Sequence, residues 1–191
     1  DVTVIEEIKE ETHKLLQEEE RSYEHDGEIW KKYMLINPDL QSYGDGRAEI
    51  IDFGIFDEEG KITNTVYKMQ DFTLRMKIKF NKKILNPIFA FSLKDLKGTE
   101  LTGTNTVIEK TETGTLSQGE VVEISFTQKM RLQGGQYLLQ LGCTGFEEND
   151  DFVVYHRLYD ICCIQVIADK TTVGYFDMDT RVNYAKGAVH E

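Results

Sequence analysis

Two prolines, Pro38 and Pro87, and three cysteines are all this chain of 191 residues has of either. So little proline excludes an extended polyproline spacer. An odd number of cysteines (Cys143, Cys162 and Cys163), two of them adjacent, does not form a disulfide framework. They read as reduced thiols in a cytosolic compartment. No apolar run approaches the roughly 20 residues that a membrane-spanning helix needs. The N-terminus is acidic and has no apolar signal core. It starts at Asp1 rather than Met, which leads us to expect a piece of a longer protein. Cations are scarce: 22 Lys and Arg against 34 Asp and Glu, a net charge of -12. Such a surface repels nucleic-acid phosphates and an anionic leaflet, so neither is expected as a direct partner. Neutral or cationic ligands fit better.

Catalytic signatures are missing too. There is no phosphate-binding Gly-x-x-x-x-Gly-Lys-Ser/Thr loop, no Gly-x-Ser-x-Gly elbow and no His-Glu-x-x-His pair. The four histidines, His13, His25, His156 and His190, are scattered rather than spaced as zinc ligands. The run from Glu147 to Asp151 lacks the alternation and glycine of a calcium-binding loop and reads as a solvated turn. Cys162 and Cys163 have no basic neighbour in sequence to activate a thiol. Carboxylate pairs among so many acidic residues carry no specificity. No enzyme activity, metal or cofactor is expected.

What is present is alternation. Leu74, Met76, Ile78 and Phe80 share one face of Phe72–Asn81, with Arg75, Lys77 and Lys79 on the other. After Pro87, Phe89, Phe91 and Leu93 oppose Ile88, Ala90 and Ser92. Comparable patterns cover Arg47–Phe56, Thr99–Thr106, Glu120–Phe126, Gln136–Gly142, Ile161–Ala168 and Val173–Met178. About eight or nine short strands, with turn signals every 8–12 residues or so, predict an all-β antiparallel sandwich, immunoglobulin-like or jelly-roll. The N-terminal part differs. Val4, Ile5, Ile8, Thr12, Leu15 and Leu16 form a helical stripe, predicting a helix over residues 3–21 and a second short one over Glu28–Leu35. Trp30 reads as the anchor of that extension. We therefore divide the chain into a helical extension over residues 1–42 and a sandwich over 43–191.

Four stretches together resemble one family. These are YGDGRAEIIDFGIFDEEGK from Tyr43, NPIFAFSLKDLKGTELTGTNT from Asn86, LQGGQYLLQLG from Leu132 and YDICCIQV from Tyr159. In this order they are similar to the C-terminal domain of Wzt-type polysaccharide ABC transporter ATPases. The similarity covers residues 43–168 and extends to about 178. Thr102 and Ile164 stand where relatives often carry larger apolar residues. The resemblance implies a non-catalytic carbohydrate-binding sandwich behind a nucleotide-binding domain. It implies an undecaprenyl-linked polysaccharide (O-antigen or similar) as ligand before export, at the cytoplasmic face of the membrane. It also implies a homodimer, formed in some members by exchange of a C-terminal strand. The competing reading is a dimerisation or docking module of the transporter with no ligand site of its own.

Sugar hydroxyls need paired donors and acceptors on a rigid sheet beside an apolar surface. Alternation presents Ser92 and Gln140 away from the core. Asn105 offers a donor and an acceptor at once, or serves as a turn residue bonded to its own backbone. Tyr155, His156, Arg157 and Tyr159 concentrate planar and aromatic groups beside a sheet end and could rim a sugar cleft. The alternative there is a loop anchored by one buried tyrosine, with Arg157 paired to a carboxylate.

Overall fold

The computed structural model describes residues 29–147 and 149–186. The helix expected over residues 3–21 lies outside them. Among the described residues the strands are β1 (Gln41–Tyr43), β2 (Ala48–Phe56), β3 (Thr65–Tyr67), β4 (Asp71–Phe80), β5 (Ile84–Leu85) and β6 (Ile88–Asp95). They continue with β7 (Glu100–Asn105), β8 (Thr115–Leu116), β9 (Val121–Lys129), β10 (Gly135–Phe146) and β11 (Phe152–Ile167). One sheet runs β1-β11-β10-β6-β7, with β3 added in parallel to the end of β11. The second runs β2-β4-β9, and β5 pairs with β8 in a small ribbon.

The alternating residues build the core as the pattern requires. Leu74, Met76, Ile78 and Phe80 of β4 are buried, as are Phe89, Phe91 and Leu93 of β6 and Tyr137, Leu139 and Leu141 of β10. The layers meet through aromatic contacts, Phe80 with Phe89 at 6.4 Å and Phe91 with Phe126 at 5.1 Å between centroids. The β6–β7 hairpin turns because Asp95 accepts the N–H groups of Lys97 and Thr99 at 2.9 and 2.8 Å, and Gly98 takes the left-handed φ of +89°. Those backbone bonds, Thr99 first, hold the Asp95 carboxyl below its usual pKa.

Three features depart from the expected elements. Where a helix was expected over Glu28–Leu35, the described part holds one 3-10 turn, Lys31–Tyr33. Trp30 is nonetheless an anchor. It is buried edge-on against Phe56 at 5.4 Å, with Lys77 Nζ 4.2 Å from its ring. Second, residues 153–160 are strand, because β11 is a single run of 16 residues. Tyr159, Asp160 and Ile161 bulge opposite Gln140, between the pairs Leu139–Cys162 and Leu141–Leu158. Asp160 sits at φ +54° there and pairs with Lys94 at 2.5 Å. Such a bulge breaks strict alternation and so hides the strand from a period-two reading. Third, Val173–Met178 is not a strand. Phe176 makes one isolated bridge to Leu132, and Gly174 at φ +87° interrupts the rest. This segment is fixed by a buried ion pair, Lys68 Nζ to Asp177 Oδ2 at 2.9 Å, with both side chains 2% exposed. Lys68 bonds first among the causes that hold the Asp177 carboxyl down at about 2.

A candidate binding groove on the outer face of the larger sheet

Pairing across the larger sheet places Asn105, Ala90, Gly142, Arg157 and Tyr43 side by side, one from each of β7, β6, β10, β11 and β1. The adjacent outward row is Gly103, Ser92 and Gln140. Small residues, Ala90, Gly103 and Gly142, form the floor. Larger polar ones stand around them. The result is an open groove of about 370 Å³ on the face away from the second sheet. A sheet is rigid here because β6 and β10 are interior strands, bonded on both sides.

Of the seven residues singled out from the sequence, the structure gathers Ser92, Asn105, Gln140 and Arg157 in this groove. Tyr159 stands at its margin. Gln140 is only 5% exposed, yet its Oε1 has no hydrogen-bond partner among the described residues. A buried carbonyl oxygen left unpaired costs about 1–3 kcal/mol, so any donor that reaches this one, a water or a ligand group, is stabilising. Asn105 spends its Oδ1 on the N–H of Ile108 at 2.9 Å. That is the local turn bond weighed above. Its Nδ2 has no acceptor among the described residues and is left for the groove, which the exposed Ile108 borders.

At the other end, the Tyr43 and Tyr159 rings stack at 5.7 Å and 22°, and Arg157 lies 5.4 Å from the Tyr159 ring centre. The bond from Tyr159, and after it Arg157, holds the Tyr43 phenol below its usual pKa. Tyr43 went unnoticed in the sequence because its strand has only three residues. So short a strand has no period. The groove floor was equally hidden, since its residues meet only when three strands, β6, β7 and β10, lie in register.

Tyr155 and His156 lie elsewhere. Tyr155 is a core residue 2% exposed, with Arg47 4.9 Å from its ring centre. It occupies the second bulge, between the pairs Cys143–His156 and Thr144–Val154. His156 bridges the two sheets. Its Nδ1 accepts the N–H of Ile50 at 2.8 Å and its Nε2 meets Ser42 Oγ at 3.0 Å. Burial pushes its pKa down, matching a neutral ring whose Nδ1 is an acceptor. Burial also pushes the Cys143 and Cys162 thiols up to about 12, so both are packing residues. Among the described residues no group of three or more His, Cys, Asp and Glu is placed to hold a metal ion.

A family model, the Wzt C-terminal domain, matches residues 39–178. The chain belongs to the Wzt C-terminal domain family. A crystal structure of the C-terminal domain of Wzt superposes with a TM-score of 0.76 at 22% identity, covering 84% of this chain and 98% of that one. At that identity the likeness establishes the fold. Two weaker likenesses bear on nothing further. The CARDB domain of the PF1109 protein from Pyrococcus furiosus has a TM-score of 0.37 at 11% identity, over 74% of this chain and 95% of that one. A Niemann-Pick type C2 protein from the Japanese carpenter ant has 0.42 at 8%, over 67% and 98%. No curated protein matches in sequence. As a Wzt C-terminal domain the chain is part of a polysaccharide ABC transporter system, in a family that is non-catalytic. No helix among the described residues is long and apolar enough to cross a membrane. The groove's lining residues, from Ala90 to Arg157, all lie within the matched Wzt C-terminal domain residues.

Proposed function

We propose that this groove binds the lipid-linked polysaccharide that the transporter exports, on the cytoplasmic side and without chemical change. The observation that carries the reading is Gln140: a buried acceptor with no partner, set in a groove of small residues with Ser92 and Asn105 beside it. A sugar hydroxyl or acetamido N–H supplies the missing donor, and a sugar's C–H face suits the Tyr43 and Tyr159 rings. Glycan arrays presenting terminal fragments of bacterial surface polysaccharides identify a ligand, and titration then compares variants. Gln140→Leu removes the orphaned oxygen. It is expected to leave the melting temperature unchanged or slightly higher and to weaken binding about tenfold, the worth of one bond near 1.4 kcal/mol. Unaltered affinity in that variant would take Gln140 out of the site.

A second role, as an assembly module, is favoured by the register of the tail. Phe176 bridges Leu132 in antiparallel sense, just past the end of β9. Each two-residue step forward along the tail corresponds to two back along β9. Thr180, Val182 and Tyr184 therefore fall opposite Gln128, Phe126 and Ile124 if the pairing continues along the free edge of β9. Those three β9 residues line a cleft of about 580 Å³ between the sheets, and Val182 and Tyr184 are 85% and 86% exposed. Asp179 sits at φ +55° with its N–H bonded to Asp177 Oδ1, and residues 180–186 form no strand within this chain. The resemblance supplies the occupant: the tail of a second copy, adding a strand to β9 and filling the cleft. A chain ending at Met178 is expected to lose its dimer by light scattering while keeping its melting transition. An unchanged mass would refute the exchange.

A further inference from the structure

We propose that the groove selects a sugar carrying an anionic substituent, a carboxylate or a phosphate, and that Arg157 is the residue that reads it. This rests on the glycan-binding reading above and adds the chemical class of the ligand.

The argument begins with charge. In a chain of net charge -12, two of the basic side chains near the larger sheet are already engaged. Arg47 is held by Asp45 and Glu147, each at 2.7 Å, and Lys94 by Asp160 at 2.5 Å. Arg157 has no ion pair with a carboxylate among the described residues. Its contacts are aromatic, the Tyr159 ring and the Tyr43 hydroxyl. Stacking leaves the edge of a guanidinium, with its fork of N–H donors, free to meet a planar anion. The Tyr159 ring and the Tyr43 hydroxyl together hold the guanidinium in place, which lowers the ordering needed on binding. Beneath it lies Gly142, whose missing side chain keeps the approach open: a Cβ built there comes 3.9 Å from Arg157 Nε.

The groove has one carboxylate in its lining, Glu100. Its backbone is in register with Lys94, four residues along β6 from the Ala90 row that holds Arg157. At strand rise the two rows are roughly 13 Å apart; Glu100 still acts on the Tyr159 phenol but makes no ion pair with Arg157. Arg157 and the orphaned Gln140 Oε1 are close in the sheet, on β11 and β10. Together they ask for a ligand with an anion and a neighbouring O–H or N–H donor. A uronic acid and a sugar phosphate both have that pattern.

The test titrates the full ¹⁵N-labelled chain with D-glucose, D-glucuronate and D-glucose 6-phosphate, following amide shifts of Gln140 and Gly142. We expect at least one anionic sugar to bind ten times more tightly than D-glucose, an advantage that shrinks as salt rises. Which of the two binds better tells carboxylate from phosphate. Arg157→Gln is expected to abolish the advantage, so that the anionic sugars bind that variant no more tightly than D-glucose does, while Arg157→Lys retains part of it. Equal binding of all three sugars, or an advantage that survives in Arg157→Gln, overturns the selectivity but not the glycan site. Failure of every sugar to shift these amides overturns both. Should Arg157→Gln misfold, the salt dependence of the wild-type chain and the Arg157→Lys variant still decide.

Discussion

Replacing Asp52 by alanine is expected to lower the unfolding free energy by about 3 kcal/mol and to expose Trp30. Asp52 lies on β2, buried under the segment that leads into the sandwich. Its carboxylate accepts the N–H groups of Trp30 at 3.1 Å, Lys31 at 2.9 Å and Phe53 at 3.0 Å. Lys77 stands 3.6 Å away and also faces the Trp30 ring. A buried N–H that loses its acceptor keeps its full desolvation cost, and bonds to a charged group are worth about 1.5–3 kcal/mol each. The sum is less than three such terms, because a released Trp30 segment regains water. Asn at this position keeps an acceptor oxygen and should cost less than half as much. Trp30 is the single tryptophan of the chain, so its emission reports this one locus. Urea denaturation gives the stability, and a red-shifted native spectrum gives the release. A native emission in Asp52→Ala identical to the parent's would show that Phe56 and Lys77, not the carboxylate, hold the segment.

How much of this was legible beforehand depends on the kind of signal. Residues 74–80 and 89–93 announced their faces because each strand is half-buried, and a period of two is then forced on the sequence. The outward direction of Ser92 and Gln140 follows from the same rule. Tyr155 and His156 were assigned to the cleft because the stretch concentrates aromatic and planar groups beside what read as a sheet end. Two bulges in β11 turn Tyr155 inward and send His156 to Ile50, and a bulge is set by the partner strand rather than by local sequence. The tail misled in the opposite way. Val173–Met178 alternates, yet Asp177 is spent on Lys68 and only Phe176 makes a bridge, an isolated one to Leu132. The least visible feature was the floor of the groove. Ala90 and Gly142 are unremarkable where they stand, and matter only because β6 and β10 bring them together.

That floor supplies the sharper functional test: Gly142→Phe is expected to weaken glycan binding at least a hundredfold while the domain stays folded. Glycines in the sheet are not equivalent here. A Cβ at Gly103 would come 2.6 Å from the Phe91 carbonyl oxygen and 2.7 Å from Ser92 Cβ, and one at Gly145 would come 2.5 Å from the Tyr155 hydroxyl. Substitution at either strains the fold and says nothing about binding. At Gly142 the nearest atoms to a new Cβ are Ala90 Cβ at 3.8 Å and Arg157 Nε at 3.9 Å, ordinary contacts, and its φ is not among the positive ones. Alanine should therefore leave the melting temperature within a degree or two and reduce affinity modestly. Phenylalanine grows from the same point into the groove, displaces the Arg157 guanidinium and occupies the space over Ala90. A hundredfold loss is about 2.7 kcal/mol, the scale expected when a ligand loses both its apolar floor and its bond to Gln140. Titration calorimetry on the two variants, with melting curves beside them, separates the outcomes. Undiminished affinity in a folded Gly142→Phe chain would move the sugar off this face, and with it the role proposed for Arg157.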